Sequence, residues 1–179
     1  TFKRLEEIIA ESSKEIGAWE FRQLPYEHPK IYDPVTGITS WMSGAAFAVR
    51  REIFEKLQGF DKNIFMYAED VDFSWRLRAS DYKIKYCPTV KIMHYSYESI
   101  GAVKPAQYVN SLINNLLLRY RFGSFSDVMR GYFQFAIVFF LHRAPYPGAK
   151  KQLLQAFAAH FSRISSFNNK SYARAQVGQ

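Results

Sequence analysis

Phe2, Leu5, Ile9 and Ile16 recur at helical spacing with Glu and Lys between them, so the pattern predicts an amphipathic helix over residues 1–16, ended by Gly17. From Trp19 to Thr39 the periodicity stops and Pro25, Pro29 and Pro34 intervene, which reads as a long ordered connection. Apolar character returns at Ala46-Phe47-Ala48-Val49, behind the small pair Gly44-Ala45. It predicts a buried strand over 40–49 and then a short helix over 50–57 stopped by Gly59. Phe73 and Leu77 share one helical face, with Val71 and Trp75 on the next, so a helix is expected over about 70–79. Tyr82, Ile84 and Tyr86 alternate with lysines, and Val90, Ile92 and His94 alternate beyond Pro88, giving two extended segments parted by proline.

After Gly101 the period is helical throughout. Helices are expected over about 105–121, over about 127–142 behind a Ser126-Asp127 cap, and over about 149–164, with Pro145 and Pro147-Gly148 between the last two. The densest apolar stretch, Gly131 to Leu141, falls well short of the ~20 residues a spanning helix needs, so it is expected to lie on a membrane rather than cross one. Residues 1–100 thus read as an α/β part, 101–167 as a helical extension, and 168–179 as a flexible polar tail.

Composition narrows the classes. With 48% apolar and 17% aromatic residues the chain has enough surface to bury against its conformational entropy, which excludes intrinsic disorder. The net charge of +8 is lopsided: residues 1–98 carry 14 Lys and Arg against 15 Asp and Glu, residues 99–179 carry 10 against 1. Basic charge interleaved with Phe and Tyr suits an anionic partner, a phospholipid surface or nucleic acid, as well as a plain solvated helical face. The single cysteine, Cys87, cannot close an internal disulfide; it is expected to be a buried thiol in a reducing cytoplasm. The start, Thr-Phe-Lys-Arg, lacks signal-peptide architecture and Met, and an excised fragment is expected.

Three features can carry chemistry. Glu69-Asp70-Val71-Asp72 stands at the start of a predicted helix, where free backbone N–H groups and the helix dipole favour a carboxylate; this suits a general base or ion ligand, and equally an ordinary cap. His94 closes an alternating segment, either as a metal ligand, if carboxylates converge on it, or as a hydrogen-bonded structural histidine. Trp41 beside Ser43-Gly44-Ala45 offers an aromatic face next to an approachable backbone, fit for stacking on a sugar ring or for plain core packing.

Taken together, Trp41-Met42-Ser43-Gly44-Ala45-Ala46-Phe47-Ala48-Val49-Arg50-Arg51-Glu52-Ile53-Phe54, Gly59-Phe60-Asp61, Phe65-Met66-Tyr67-Ala68-Glu69-Asp70-Val71-Asp72-Phe73-Ser74-Trp75-Arg76-Leu77-Arg78 and Tyr82-Lys83-Ile84 closely resemble family 2 glycosyltransferases of the rhamnosyltransferase-like branch. The resemblance runs from about Asp33 to His94, roughly half the chain, and weakly beyond. It implies an α/β fold in which residues ~40–95 complete a partial GT-A-type, Rossmann-like sheet, followed by C-terminal helices. By the same resemblance Asp70 is the catalytic base, His94 completes the metal site, Trp41, Ser43 and Gly44 line the acceptor site, and Glu69 helps position the acceptor.

The implied activity is an inverting transfer from a nucleoside-diphosphate sugar, with rhamnose the favoured sugar, to a saccharide or lipid-linked acceptor in cell-surface polysaccharide synthesis. It implies a divalent cofactor, Mn or Mg, whose Asp-x-Asp ligands lie outside this chain together with the donor-binding half. On that reading the isolated chain is inactive, and its location is cytoplasmic, peripheral on the inner membrane face. Ser80-Asp81 departs from the family's usual glycine, a matter of turn geometry. Two other classes compete: a non-catalytic docking module derived from this fold, and a nucleic-acid-binding module. The last is disfavoured, and no nucleic-acid partner is expected, because no zinc-finger spacing, RNP-like motif or glycine-rich phosphate loop occurs.

Overall fold

The computed structural model describes residues 2–27, 30–95 and 104–166. Its elements are α1 (Phe2–Glu11), β1 (Ile16–Leu24), β2 (Ile38–Thr39), β3 (Phe47–Val49), α2 (Arg51–Lys56), α3 (Glu69–Arg78), β4 (Lys83–Met93), α4 (Pro105–Phe122), α5 (Phe125–Leu141) and α6 (Ala149–Ser166). They fall into two compact units: the sheet with α1, α2 and α3 from Asp70 onward, and α4 to α6 with the segment 61–69. The expected polar tail, 168–179, lies outside the described residues.

In the first unit the strands are ordered β2-β4-β1-β3, with β1 parallel to β4, and β3 and β2 antiparallel at the edges. This is the α/β architecture expected, with one change of boundary: the sheet is centred on β1 and β4, so residues 40–95 do not complete it alone. The opening helix ends at Glu11, and the chain from Ile16 to Leu24 is the central strand where a helix end and an irregular connection were expected. The reason is burial on both faces. Six consecutive residues from Ile16 to Phe21 are buried, so no alternation survives to be read, and Glu20 and Gln23 disguise the rest as loop. Gly17 sits inside this strand because a Cβ there would stand 3.0 Å from both Ile53 Cδ1 and Tyr82 Cβ.

Strand alternation sends Trp19 and Phe21 to one face, with Ile8 of α1, Ala46, Cys87 and Val90. Ala18 goes to the other, with Ile53, Phe73, Leu77 and Ile84 from α2, α3 and β4, Leu57 just after α2, and Met42 from the loop before β3. Cys87 is buried as expected, and desolvation pushes its thiol up to about 11. The strand expected over 40–49 shrinks to β3, residues 47–49, because the loop 41–44 leaves the sheet and bonds α3 through Met42 N and Gly44 N. The two extended segments expected at 82–94 are one strand, β4. Its register against β1 slips from Phe21↔Cys87 to Arg22↔Lys91, leaving Pro88 in the irregularity, where a missing N–H breaks no ladder bond.

In the second unit α4, α5 and α6 pack around Ile113, Leu116, Phe135 and Leu153. The cap of α5 is Ser124 and not Ser126: its Oγ accepts from Asp127 N while the Asp127 carboxylate accepts from Ser124 N, a reciprocal capping box. His160 is fully buried with Nε2 3.0 Å from Tyr132 Oη, and burial pushes it down to about 4, so it packs as a neutral ring. Among the described residues no helix is long and apolar enough to cross a membrane.

Candidate active site

Asp70 occupies the first turn of α3, whose face is fixed by Phe73 and Leu77, both fully buried against the sheet. Its carboxylate is half-buried and held at both oxygens. Oδ2 accepts from Gly44 N at 2.8 Å, and Oδ1 accepts from Val71 N at 2.8 Å. The loop 41–44 is tied to α3 a second time, since Met42 N donates to Ser74 Oγ at 3.1 Å and Ser74 Oγ donates to Asp70 O at 2.6 Å. Gly44 and Ala45 are exposed, so the carboxylate sits at the rim of the fold beside an accessible backbone.

Beneath this loop lies a pair of charges that sequence reading missed. Glu20, on the same face of β1 as Ala18, accepts from Ser43 N through Oε1 at 3.0 Å and meets Lys30 Nζ through Oε2 at 2.6 Å, with the two side chains 2% and 4% exposed. The same ammonium lies 3.6 Å from the centre of the Trp41 ring and donates to Trp41 O at 3.3 Å. Burial pushes Lys30 down and Glu20 up, and each is opposed chiefly by the other's charge and hydrogen bond; Asp70 adds to the field that keeps Lys30 charged. One face of Trp41 is therefore covered by a cation.

The structure thus gathers Trp41, Ser43, Gly44 and Asp70 and joins them through Glu20 and Lys30. His94 stands elsewhere. It follows β4, where its N–H donates to Leu24 O at 2.7 Å and its Nδ1 is 3.2 Å from Gln23 Oε1. Gln23 is three residues beyond Glu20 along β1, roughly 10 Å at the rise of an extended strand. With Gln23 Oε1 as the acceptor, Nδ1 would be the donor and Nε2 would be left for a metal ion. Among the described residues no three His, Cys, Asp or Glu side chains converge into a metal cluster.

Asp72 is spent on structure: its Oδ2 is 2.7 Å from Arg76 Nε, and the same guanidinium donates to Leu57 O and Gly59 O, each at 2.7 Å, satisfying carbonyls at the end of α2. The letters Asp70-Val71-Asp72 are therefore not a paired ion grip.

Glu69, the first residue of α3, belongs to the second unit. The three residues before it, Met66, Tyr67 and Ala68, all have left-handed backbone, with φ of 55°, 68° and 77°. For residues with a Cβ such a run is held against strain of about 1–3 kcal/mol each. The buried amide of Asn114 on α4 pins it, donating to Met66 O at 3.1 Å and to Tyr67 O at 2.6 Å. Nothing in Phe-Met-Tyr-Ala announces this conformation.

Over part of its length the chain is similar to proteins named as sugar-transferring enzymes. It is 36% identical over 69 residues to an N-acetylglucosaminyl-diphospho-decaprenol L-rhamnosyltransferase of Mycobacterium tuberculosis, covering 38% of this chain and 22% of that protein. It is 33% identical over 60 residues to rhamnosyltransferase WbbL of Escherichia coli K12, covering 34% of this chain and 23% of that protein. The matches thus span under a quarter of the length of these curated relatives. Among solved structures it is similar to the mannosyltransferase PcManGT from Pyrobaculum calidifontis in complex with GDP-Man and Mn2+, at 17% identity and a TM-score of 0.40, over 90% of this chain and 45% of that one. No family model matches. The resemblance read from its motifs thus agrees with the curated relatives it is similar to, both of which are named rhamnosyltransferases.

Proposed function

We propose that the intact protein is an inverting glycosyltransferase of the family 2 kind that moves a sugar, rhamnose by similarity, from a nucleoside-diphosphate sugar to a saccharide or lipid-linked saccharide acceptor in cell-surface polysaccharide synthesis, working at the cytoplasmic face of a membrane. The observation that carries this reading is the Asp70 carboxylate, half-buried and aimed by two backbone N–H groups at an exposed Gly44-Ala45 rim. A carboxylate oxygen has two lone pairs; each Asp70 oxygen spends one on an N–H and keeps one for an acceptor hydroxyl.

Asp70 takes the hydroxyl proton as the acceptor oxygen bonds to the anomeric carbon from the side opposite the leaving group. The anomeric C–O bond breaks, and its electron pair departs with the nucleoside diphosphate. One carboxylate suffices, because the leaving group needs no protonation by a second acid. A divalent ion, Mn or Mg, supplies charge stabilisation to the departing diphosphate when bound. His94 suits it through Nε2, with Asp-x-Asp ligands and the donor-binding residues outside this chain. Glu20 and Lys30 hold the acceptor loop in place from below through Ser43 N and the Trp41 ring, and Gly44 leaves room for the acceptor, since a Cβ there would stand 3.5 Å from Asp70 Cβ and Oδ2.

The test is consumption of a panel of nucleotide sugars by the intact protein with divalent metal and acceptor, against Asp70→Asn, which keeps the shape and removes the base. Turnover of one donor and a loss of kcat by roughly 100-fold to 10,000-fold in the variant is expected. An Asp70→Asn enzyme as fast as the native one rejects the assignment.

A further inference from the structure

The sequence of α5, Phe-Ser-Asp-Val-Met-Arg-Gly-Tyr-Phe-Gln-Phe-Ala-Ile-Val-Phe-Phe-Leu, is apolar almost throughout, yet only Gly131 and Phe135 are buried. Its inward face meets α4 and α6 through Phe135, Tyr132 and Phe139. Among the described residues a second apolar face has no such cover. Phe125, Met129, Phe133 and Phe140, with Ala136 between them, fall within about 80° of helix circumference at 100° per residue. The four large side chains are 80%, 51%, 68% and 72% exposed. Leu141 at the end of α5 and Leu154 and Phe161 on α6 are exposed as well. Single exposed apolar residues are ordinary; a stripe running the length of a helix is not.

Charge selects the occupant. Residues 99–179 hold ten Lys and Arg against the single acid Asp127. Asp127 is tied to its cap at Ser124, which leaves the surface field cationic. Arg130 on α5, Arg143 just beyond it and Lys151 on α6 are exposed, and the long stem of Lys150 carries its ammonium 5.9 Å from the centre of the Phe139 ring. Aromatic and Met side chains beside long cations are what an interfacial helix uses, rings among the acyl chains and ammonium or guanidinium groups at the phosphates. A second protein partner would need acids to match these cations, whereas an anionic bilayer offers phosphates everywhere.

We propose that α5 is an interfacial helix, and that the Phe125-Met129-Phe133-Phe140 stripe docks the helical unit on an anionic phospholipid surface. This rests on the transferase reading only in expecting a lipid-linked acceptor at that surface; the docking itself needs no donor, metal or Asp70.

The experiment is flotation of the intact protein with vesicles of phosphatidylcholine alone or with about a third anionic phospholipid, which gives the negative surface potential that attracts basic segments. Native protein and Asp70→Asn should both float with the anionic vesicles, and high salt should weaken this. Phe133→Asp with Phe140→Asp should lower the bound fraction roughly tenfold while thermal unfolding stays unchanged, since both side chains are exposed. Arg143→Glu with Lys151→Glu, which spares the apolar stripe, should also lower it. Equal binding to neutral vesicles, or none to either, overturns the proposal. So does a native dimer that Phe133→Asp converts to monomer without any flotation, which assigns the stripe to a second copy. Turnover with no flotation removes docking and keeps the transferase; flotation with no turnover does the reverse.

Discussion

In the sheet unit Glu20, Lys30, Asp72 and Arg76 are withdrawn from water, each against its counter-charge, whereas in the helical unit Phe125, Phe133 and Phe140 stand in water. Both arrangements run against the usual partition of residues, and they do so for opposite reasons. A buried ion pair is a poor source of stability, because desolving two charges offsets most of their attraction; what it supplies is geometry. Here the pair fixes the loop from Trp41 to Gly44, which in turn holds Asp70. An exposed apolar stripe supplies no geometry within the chain; it stores the free energy of a contact still to be made.

The comparison is broken most severely at Lys30. Lys30→Met leaves Glu20 buried without its cation and should cost about 3–5 kcal/mol in denaturant unfolding, with most of it recovered when Glu20→Gln is added. A double variant no better than Lys30→Met would show that the ammonium acts on Trp41 rather than on Glu20. Asn114→Leu tests a place where the helical unit also relies on a buried polar group. Losing the bonds to Met66 O and Tyr67 O should destabilise by about 1–3 kcal/mol, read as a lowered melting temperature.

The smallest expected effect is at Asp61, paired with Arg121. Burial pushes this carboxyl up, but hydrogen bonds from Arg121 and Asn63 together hold it below its ordinary value. A depressed folded-state value means the contribution is complete above the unfolded carboxylate range and is lost as pH falls through the folded one. Asp61→Asn should therefore flatten the acid limb of the stability profile and leave the slope near neutral pH alone. An unchanged acid limb would mean the pair contributes nothing.

The elements legible beforehand were those whose signal is periodic within a few residues. The Phe73–Leu77 face of α3, the apolar repeats of α4 to α6 and the alternation around Ile84 all appear where their spacing placed them. Asp70 beside Gly44 was legible only through resemblance, since an acid at a helix start is also an ordinary cap. Two local errors have local causes. Ser124 outcompetes Ser126 as the cap because Asp127, three residues on, closes the reciprocal bond. Pro88 splits nothing because a register slip accommodates it.

By itself the sequence determined the periodic faces, the buried thiol of Cys87, the uneven charge and the motif that names the candidate base, since each depends on neighbours within a turn or on composition alone. Tertiary structure alone decided that Ile16–Leu24 is the centre of the sheet, that Lys30 crosses to Glu20 and the Trp41 ring, and that Met66 to Ala68 take a left-handed path pinned by Asn114. In each case the energy comes from groups 10 to 69 positions apart in the chain. Burial on both faces erases the alternation that marks a strand, and a polar residue becomes a core residue only once its distant partner has arrived.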